Sequence, residues 1–256
     1  MKTVEESVVT AMDGTDSELF PYLPYILQDI WEIGSDPEII IDLIKKHKEK
    51  PAELKVLDLG CGKGAVSIKL AHKLNCRCVG IDAVKEFIEE ANKKAKEYNV
   101  ASLCKFITGD IRLEVNKCSN FDIIILGSIG PVLGDYYDTL STIKKSMNKN
   151  GLIVLDDCYI EDDSDYTHQL IQKREIVLKQ IFDAGMDLIE EVKIQKDDIK
   201  KSNDYIFKNL KMRCDELIEK YPDKKELFLN YIKQQEDENE VLETKVVCST
   251  MLIKKK

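Results

Sequence analysis

Short apolar runs alternate with longer amphipathic stretches through the middle of the chain, and this alternation predicts the architecture. The runs KVLDL (55–59), RCVGI (77–81), LCKFIT (103–108), FDIIIL (121–126) and GLIVLD (151–156) read as strands. Between them, 63–74, 84–98 and 135–147 carry helical spacing; in the first, Val66, Leu70 and Leu74 recur every four residues. FDIIIL and LIVL are nearly continuous apolar runs, as expected where both faces of a sheet are buried. Strands that alternate with helices imply an α/β fold, a doubly wound and mostly parallel sheet with helices on both faces.

The flanks add helices to this core. Residues 1–14 offer no sustained pattern and are expected to be a mobile or loosely docked arm. DSELFPYLPYILQDIWEIG is aromatic-rich and interrupted by Pro21 and Pro24, which predicts short helical pieces. Ser35, Asp36 and Pro37 then open a helix that runs to the lysines before His47. After a further strand, MDLIEEVKI, a helical insert of about 196–243 places Ile206, Leu210, Leu217 and Tyr221 on one face. It breaks at Pro222 and continues with Phe228, Tyr231 and Ile232. The chain thus divides into an N-terminal helical region, 1–50, and a main domain, 51–256, that carries the insert. A cap, a plain helical hairpin and a dimer surface all fit the insert.

Composition narrows the class. With 43% hydrophobic residues the chain can bury one good core. No apolar run approaches a membrane span, and MKTVEESVV lacks the regions of a signal peptide, so a soluble cytoplasmic protein, monomer or homodimer, is expected. A net charge of -9 disfavours nucleic acid as a partner, and the terminal lysines read as a frayed end. The eight cysteines lack regular spacing and are expected to be reduced, mostly as small buried hydrophobes. Cys76 and Cys78 would share a strand face rather than form a redox pair.

The chemistry concentrates in VLDLGCGKG, 56–64, where a buried strand runs into Gly60, Gly62 and Gly64 at the start of a helix. Glycines there allow a tight turn and close approach of a nucleotide-like ligand. Asp82 ends the second strand 24 residues beyond Asp58, near the separation at which an acid can accept from ribose hydroxyls. GCGKGA also satisfies the dinucleotide fingerprint, so an NAD(P)- or FAD-dependent oxidoreductase is an alternative at this point.

Taken in order, VLDLGCGKG, GID, ITGDIRL, FDIIILGS and NGLIVLDD resemble the class I S-adenosylmethionine-dependent methyltransferases from about residue 50 to 160. The resemblance implies a seven-stranded sheet whose last strand, within TKVVCSTMLIK at 244–254, is antiparallel. It implies S-adenosylmethionine as cofactor and S-adenosylhomocysteine as product. Asp58, with Leu59, Gly60, Cys61 and Gly62, would hold the methionine end. Asp82 and Ala83 would hold the ribose; Gly109, Asp110 and Ile111 the adenine; Gly127 and Ser128 would line the pocket through backbone groups. A side chain at Gly60 would enter the ligand's space.

Catalysis would rest on orientation in a dry pocket, with a small molecule as acceptor and few dedicated side chains. Asp156 and Asp157, adjacent at the carboxyl end of the fifth strand, are the candidates for attracting an amine or taking a proton. Tyr22, Tyr25 and Trp31 are candidate lid residues over the substrate, with Tyr159 and Tyr166 beyond the fifth strand; His168 reads as a surface residue. The turn after FDIII reads LGSIGP, without the Asn-Pro-Pro-aromatic motif of enzymes acting on amino nitrogens of nucleic acids or glutamine. It also lacks the aspartate a catechol-type magnesium site would need, so no metal is expected. A regulatory protein that binds the cofactor without turnover is a further alternative.

Overall fold

The computed structural model describes residues 2–256. Its centre is one seven-stranded sheet of order β3-β2-β1-β4-β5-β7-β6. The strands are β1 (Lys55–Leu59), β2 (Arg77–Asp82), β3 (Cys104–Thr108), β4 (Phe121–Gly127), β5 (Met147–Tyr159), β6 (Met186–Lys193) and β7 (Val247–Lys255). The first five run parallel, and β7 is antiparallel to both β5 and β6, as the resemblance implied.

Among the described residues the α-helices are α1 (Val4–Ala11), α2 (Leu23–Ile26), α3 (Pro37–His47), α4 (Ala65–Leu74), α5 (Lys85–Glu97), α6 (Ile111–Glu114), α7 (Tyr136–Ile143), α8 (Arg174–Asp183), α9 (Lys196–Lys220) and α10 (Lys225–Thr244). On one face, α3 to α5 bury Ile40, Ile44, Ile68 and Leu70 against Val56, Ile123, Ile125 and Val154. On the other, α7 and α8 bury Leu140, Ile143, Val177 and Ile181 against Leu57, Ile124 and Ile153. A third apolar cluster lies off the sheet, where Leu23, Ile26 and Leu27 of the N-terminal region meet Leu210, Leu217 and Phe228 of α9 and α10. Successive strand residues alternate between the first two cores, and the shared direction of β1 to β5 gathers the loops that follow these strands at one carboxyl edge.

Four expectations are corrected. Residues 2–14 are not patternless in space, Met1 lying outside the described residues: Thr3 and Glu6 form a reciprocal capping box on α1, and Val9 is buried. The helix expected over 135–147 ends at Ile143; a 3-10 turn follows, and Met147 already pairs with Phe121, so β5 starts earlier and runs on to Tyr159. The last strand starts at Val247 because α10 continues to Thr244. Not all cysteines are reduced: β5 and β7 put Cys158 opposite Cys248, and the two are joined as a disulfide with Cα atoms 4.0 Å apart. They lie 90 residues apart in the chain, so only the strand pairing brings them together. The interrupted segment does form short pieces, a 3-10 turn (Ser17–Tyr22) followed by α2.

Candidate active site

The carboxyl ends of β1 and β2 meet through hydrogen bonds that shape the glycine loop. Gly60 and Cys61 both donate backbone N–H groups to the Ile81 carbonyl, at 2.8 and 3.1 Å. Gly60 and Gly62 have φ of +73° and +50°, a region side chains rarely enter. The Asp82 carboxylate closes the loop, accepting from Gly62 N–H through Oδ2 at 2.8 Å and from Val84 N–H through Oδ1 at 2.9 Å. Burial raises the Asp82 carboxyl above its ordinary range, and these N–H donors oppose the rise.

Asp58 lies beneath, buried, accepting from the Ser67 hydroxyl of α4 at 2.7 Å. Burial pushes its carboxyl up to about 6, and the nearby Asp82 charge adds to the effect. Leu59 and Cys61 are buried, Ala83 half-buried. The space beside Gly62 is open: a Cβ there would meet nothing within 4 Å. Gly60 differs from expectation, because a Cβ there would lie 2.5 Å from Cγ2 of Ile129, in the loop after β4. A side chain at Gly60 would therefore first collide with the protein itself.

The residues expected at the adenine follow β3. Gly109 donates to the Asp82 carbonyl at 2.8 Å, Asp110 caps α6, and Ile111 is buried. Both Asp110 oxygens accept from Arg112 Nε at 2.9 Å, and this pairing holds the Asp110 carboxyl below its ordinary range. Arg112 in turn donates to the Lys2 carbonyl at 2.8 Å, which draws the start of the chain to this corner.

Gly127 and Ser128 lie where β4 ends. A Cβ on Gly127 would sit 2.3 Å from Ser35 Oγ, so Ser35 packs directly on the strand end. The Ser35 hydroxyl is buried without a hydrogen-bond partner among the described residues. Ser128 has φ of +52° and donates to the Asp156 carbonyl at 2.9 Å.

Asp156 and Asp157 are adjacent in the chain but alternate to opposite faces, so they do not form one paired acid. Asp156 is buried and accepts from Thr250 of β7 at 2.8 Å; burial, with the neighbouring Asp157 charge, raises its carboxyl to about 6. Asp157 accepts from the Tyr136 hydroxyl at 3.0 Å. Burial raises both groups, so the Tyr136 phenol stays protonated and donates. Tyr136, Asp157 and Tyr159 line one small crevice with Val177 and Met251. Tyr159 is itself buried, with the Arg174 guanidinium and the Lys193 ammonium 5.6 and 5.8 Å from its ring centre.

The aromatic candidates of the N-terminal region lie elsewhere. Tyr22 packs edge-on against Tyr221 and Phe228. Tyr25 donates its hydroxyl to Glu216 at 2.6 Å. Trp31 donates Nε1 to the Lys63 carbonyl at 3.0 Å and packs at a tilt against Tyr98, with ring centres 5.1 Å apart. These three side chains fasten the N-terminal region to the insert and the glycine loop rather than joining the Asp157 crevice. Tyr166 stacks on His168, whose Nδ1 accepts from the backbone of Leu170 and Ile171.

As site residues Lys63, Ile129 and Tyr136 carry no expectation from the sequence, and Ser35 reads there only as a helix start. Lys63 occupies a variable position of the glycine motif, yet it is 5% exposed, and its ammonium donates to the carbonyls of Leu27 and of Ile30, the latter at 2.8 Å. Burial lowers it to about 8, so it remains charged at neutral pH. A cation inside a glycine loop was the one available signal. Among the described residues no cluster of His, Cys, Asp and Glu is arranged to hold a metal, and no helix is long and apolar enough to cross a membrane.

Comparison with known proteins completes the picture. The chain is 42% identical over 76 residues to a release factor glutamine methyltransferase of Buchnera aphidicola subsp. Baizongia pistaciae, a match covering 29% of this chain and 27% of that protein. It is 28% identical to a sterol 24-C-methyltransferase of Debaryomyces hansenii, over 60% of this chain and 46% of that protein. These matches thus span less than half of either relative's length. The fold superposes on a methyltransferase from Thiobacillus denitrificans, crystallised with S-adenosylhomocysteine, with a TM-score of 0.72 at 17% identity, covering 91% of this chain and 98% of that one. A family model described as a methyltransferase domain matches residues 50–245, from the lead-in to β1 through the end of α10. With the glycine loop, Asp82 and the sheet order in place, the chain belongs to that methyltransferase-domain family.

Proposed function

We propose that the chain binds S-adenosylmethionine across the carboxyl ends of β1 to β4 and passes its methyl group to a small-molecule acceptor. The observation that carries this reading is the glycine loop whose open side at Gly62 is bordered by the buried Asp82 carboxylate. The donor set fits such a cofactor: Asp82 can exchange its bond to Gly62 for ribose hydroxyls, and the unpartnered Ser35 hydroxyl offers a further polar contact at the end of β4. A sulfonium methyl is already activated, and its departure leaves a neutral thioether.

The chain's own task is then to bind, orient and exclude water. Asp58 holds the methionine end, Asp82 and Ala83 the ribose, and Ile111 packs on the adenine. Gly127, Ser128 and Ile129 form the wall nearest the reacting centre. Asp157, oriented by Tyr136, is the group placed to receive a proton or hold a cationic acceptor. The N-terminal region and the insert together form the cover.

A small acceptor is favoured over glutamine or nucleic acid by the turn after β4, which reads Gly127, Ser128, Ile129, Gly130, Pro131, and by the net charge of -9. The same reading places the enzyme in the cytoplasm as a monomer or homodimer. Calorimetry with S-adenosylhomocysteine, NADH and FAD tests the first half: tight binding of the first alone is expected, and preferential binding of a dinucleotide would overturn it. Incubation with methyl-labelled cofactor and cell extract, followed by mass analysis, tests the second. Label confined to protein or nucleic acid would exclude a small acceptor.

A further inference from the structure

We propose a second ligand site, for a small anion carrying two or more phosphate groups, in the groove at the amino ends of β1, β2 and β3. This groove has a volume of about 830 Å³ and lies at the edge of the sheet opposite the glycine loop. Lys55, Arg77 and Lys105 line it together with Val79, Asn120 and Asp122.

The parallel register explains the convergence of charge. Lys55 is opposite Arg77, and Val79 is opposite Lys105, so cross-strand partners and i, i+2 neighbours bring all three cations to one face of the sheet. That face is well covered over β4 and β5 by α7 and α8, but here only the single turn of α6 is near. As a result Val79 is only half-buried although β2 is an interior strand, and Arg77 and Lys105 are exposed.

The cations also lack partners of their own. Among the described residues no carboxylate is within ion-pair distance of Lys55, Arg77 or Lys105; Lys55 Nζ instead lies 4.7 Å from the Phe121 ring centre. The two acids of the groove are engaged. Glu53 pairs with Lys50 at 3.3 Å, and Asp122 accepts from the Lys55 backbone N–H at 2.9 Å and from Asn148 at 2.6 Å. What sets these three apart is their convergence in one concavity; the cations of α9 and α10 include ones held in pairs along a helix, as in Lys211–Asp215 and Lys233–Asp237.

Three unmatched cations in a concave site suit a polyphosphate. An arginine fork can take one phosphate through two bonds, the lysines act as point charges on the next, and the Asn120 amide can donate. The volume is within the roughly 300–1,000 Å³ usual for small-ligand pockets. A nucleic acid backbone fits less well, since the cations are confined to this concavity on a chain of net charge -9. The site lies one strand length, about 16 Å, from the glycine loop, since β1 runs from Lys55 to Leu59. An occupant would thus touch the same three strands whose other ends carry Asp58, Asp82 and Asp110.

Inorganic pyrophosphate is the suitable probe, because it has no adenine to enter the glycine-loop crevice. Titration calorimetry of the full chain at low salt is expected to show one saturable site. The double variant Arg77→Gln, Lys105→Gln is expected to weaken binding at least about tenfold while keeping its melting temperature. The control double variant Lys93→Gln, Lys233→Gln, on α5 and α10, is expected to bind as the wild type does. Absence of binding at millimolar pyrophosphate, equal affinity in the groove variant, or displacement by chloride at equal ionic strength would each overturn the proposal. So would tighter, length-dependent binding of a DNA or RNA oligonucleotide to the same residues. Because the readout is pyrophosphate affinity, the result is separable from any outcome of S-adenosylhomocysteine binding.

Discussion

Lys63 illustrates how one side chain can join two parts of the molecule. Its ammonium sits over the carbonyls that close α2 and the turn after it, while its own carbonyl accepts from Trp31. Charged hydrogen bonds of this kind contribute more than neutral ones, and removing the donor leaves buried carbonyls unmet. Lys63→Met should therefore lose about 2 kcal/mol of stability and weaken S-adenosylhomocysteine binding, because the cover loosens over the glycine loop. Denaturant melts and calorimetry check this, and unchanged values in both would refute the role. Asp156 makes a pH prediction. Its carboxyl rises from the ordinary 3.8 to about 6 on folding, so the folded state holds that proton more tightly than the unfolded chain. The associated stability is complete below about pH 4 and is lost as pH rises through about 6. Asp156→Asn, which can still accept from Thr250, should melt higher than wild type at pH 7, by at most about 2–3 kcal/mol, and the gap should close toward pH 4. A pH-independent difference in melting temperature would contradict the assigned cause.

At the scale of elements, the N-terminal region and the α9–α10 insert pack together as one apolar unit. Phe228 is fully buried between Tyr22, whose ring centre is 5.0 Å away, and the side chains of Leu23, Ile26 and Leu210. Phe228→Ala should cost about 3 kcal/mol locally and expose the segment before α3 to protease. Limited proteolysis should then cut within residues 12–36 while the sheet domain persists; cleavage spread across the sheet would refute a separable cover. This unit also marks the limit of sequence reading. The parallel strands were legible because FDIIIL and LIVL need both faces buried, and β1 and β2 because their ends carry the glycine loop and Asp82. Helix α1 carried one local signal, the Thr3–Glu6 capping box, but its docking by Val9 in the cover and by Arg112 on Lys2 depends on residues distant in the chain. The Cys158–Cys248 pairing was hidden for the same reason, being set by the register of β5 and β7. At the site, a motif identifies Asp58 and Asp82, whereas Tyr136 on Asp157 is a contact between a helix start and a strand end. Adjacent acids suggested one paired site; strand alternation separated them.

For the whole molecule, these fastenings imply that ligand binding and closure are one equilibrium. Lys63 ties the cover to the glycine loop, Ile129 lies over Gly60 from the β4 side, and Arg112 ties the start of α1 to Asp110. A ligand bound on the open side of Gly62 beside Asp82, with Ile129 as its neighbouring wall, gains contacts that favour the closed arrangement over any open one. S-adenosylhomocysteine at 100 times its dissociation constant should stabilise the fold by about 2.7 kcal/mol, or roughly 5–10 °C in melting temperature for a chain of this size. Hydrogen exchange should slow in three separate stretches, at the glycine loop 60–64, at 23–31 in the cover and at 127–134 after β4, because Lys63 joins the loop to the carbonyls of Leu27 and Ile30, and Ile129 lies beside Gly60. Equal protection in all three would mean that the cover closes with the ligand. Protection of the glycine loop alone, with 23–31 exchanging as before, would show that the N-terminal region is a fixed wall and that the acceptor must enter from the β4–β5 side, past Tyr136 and Asp157.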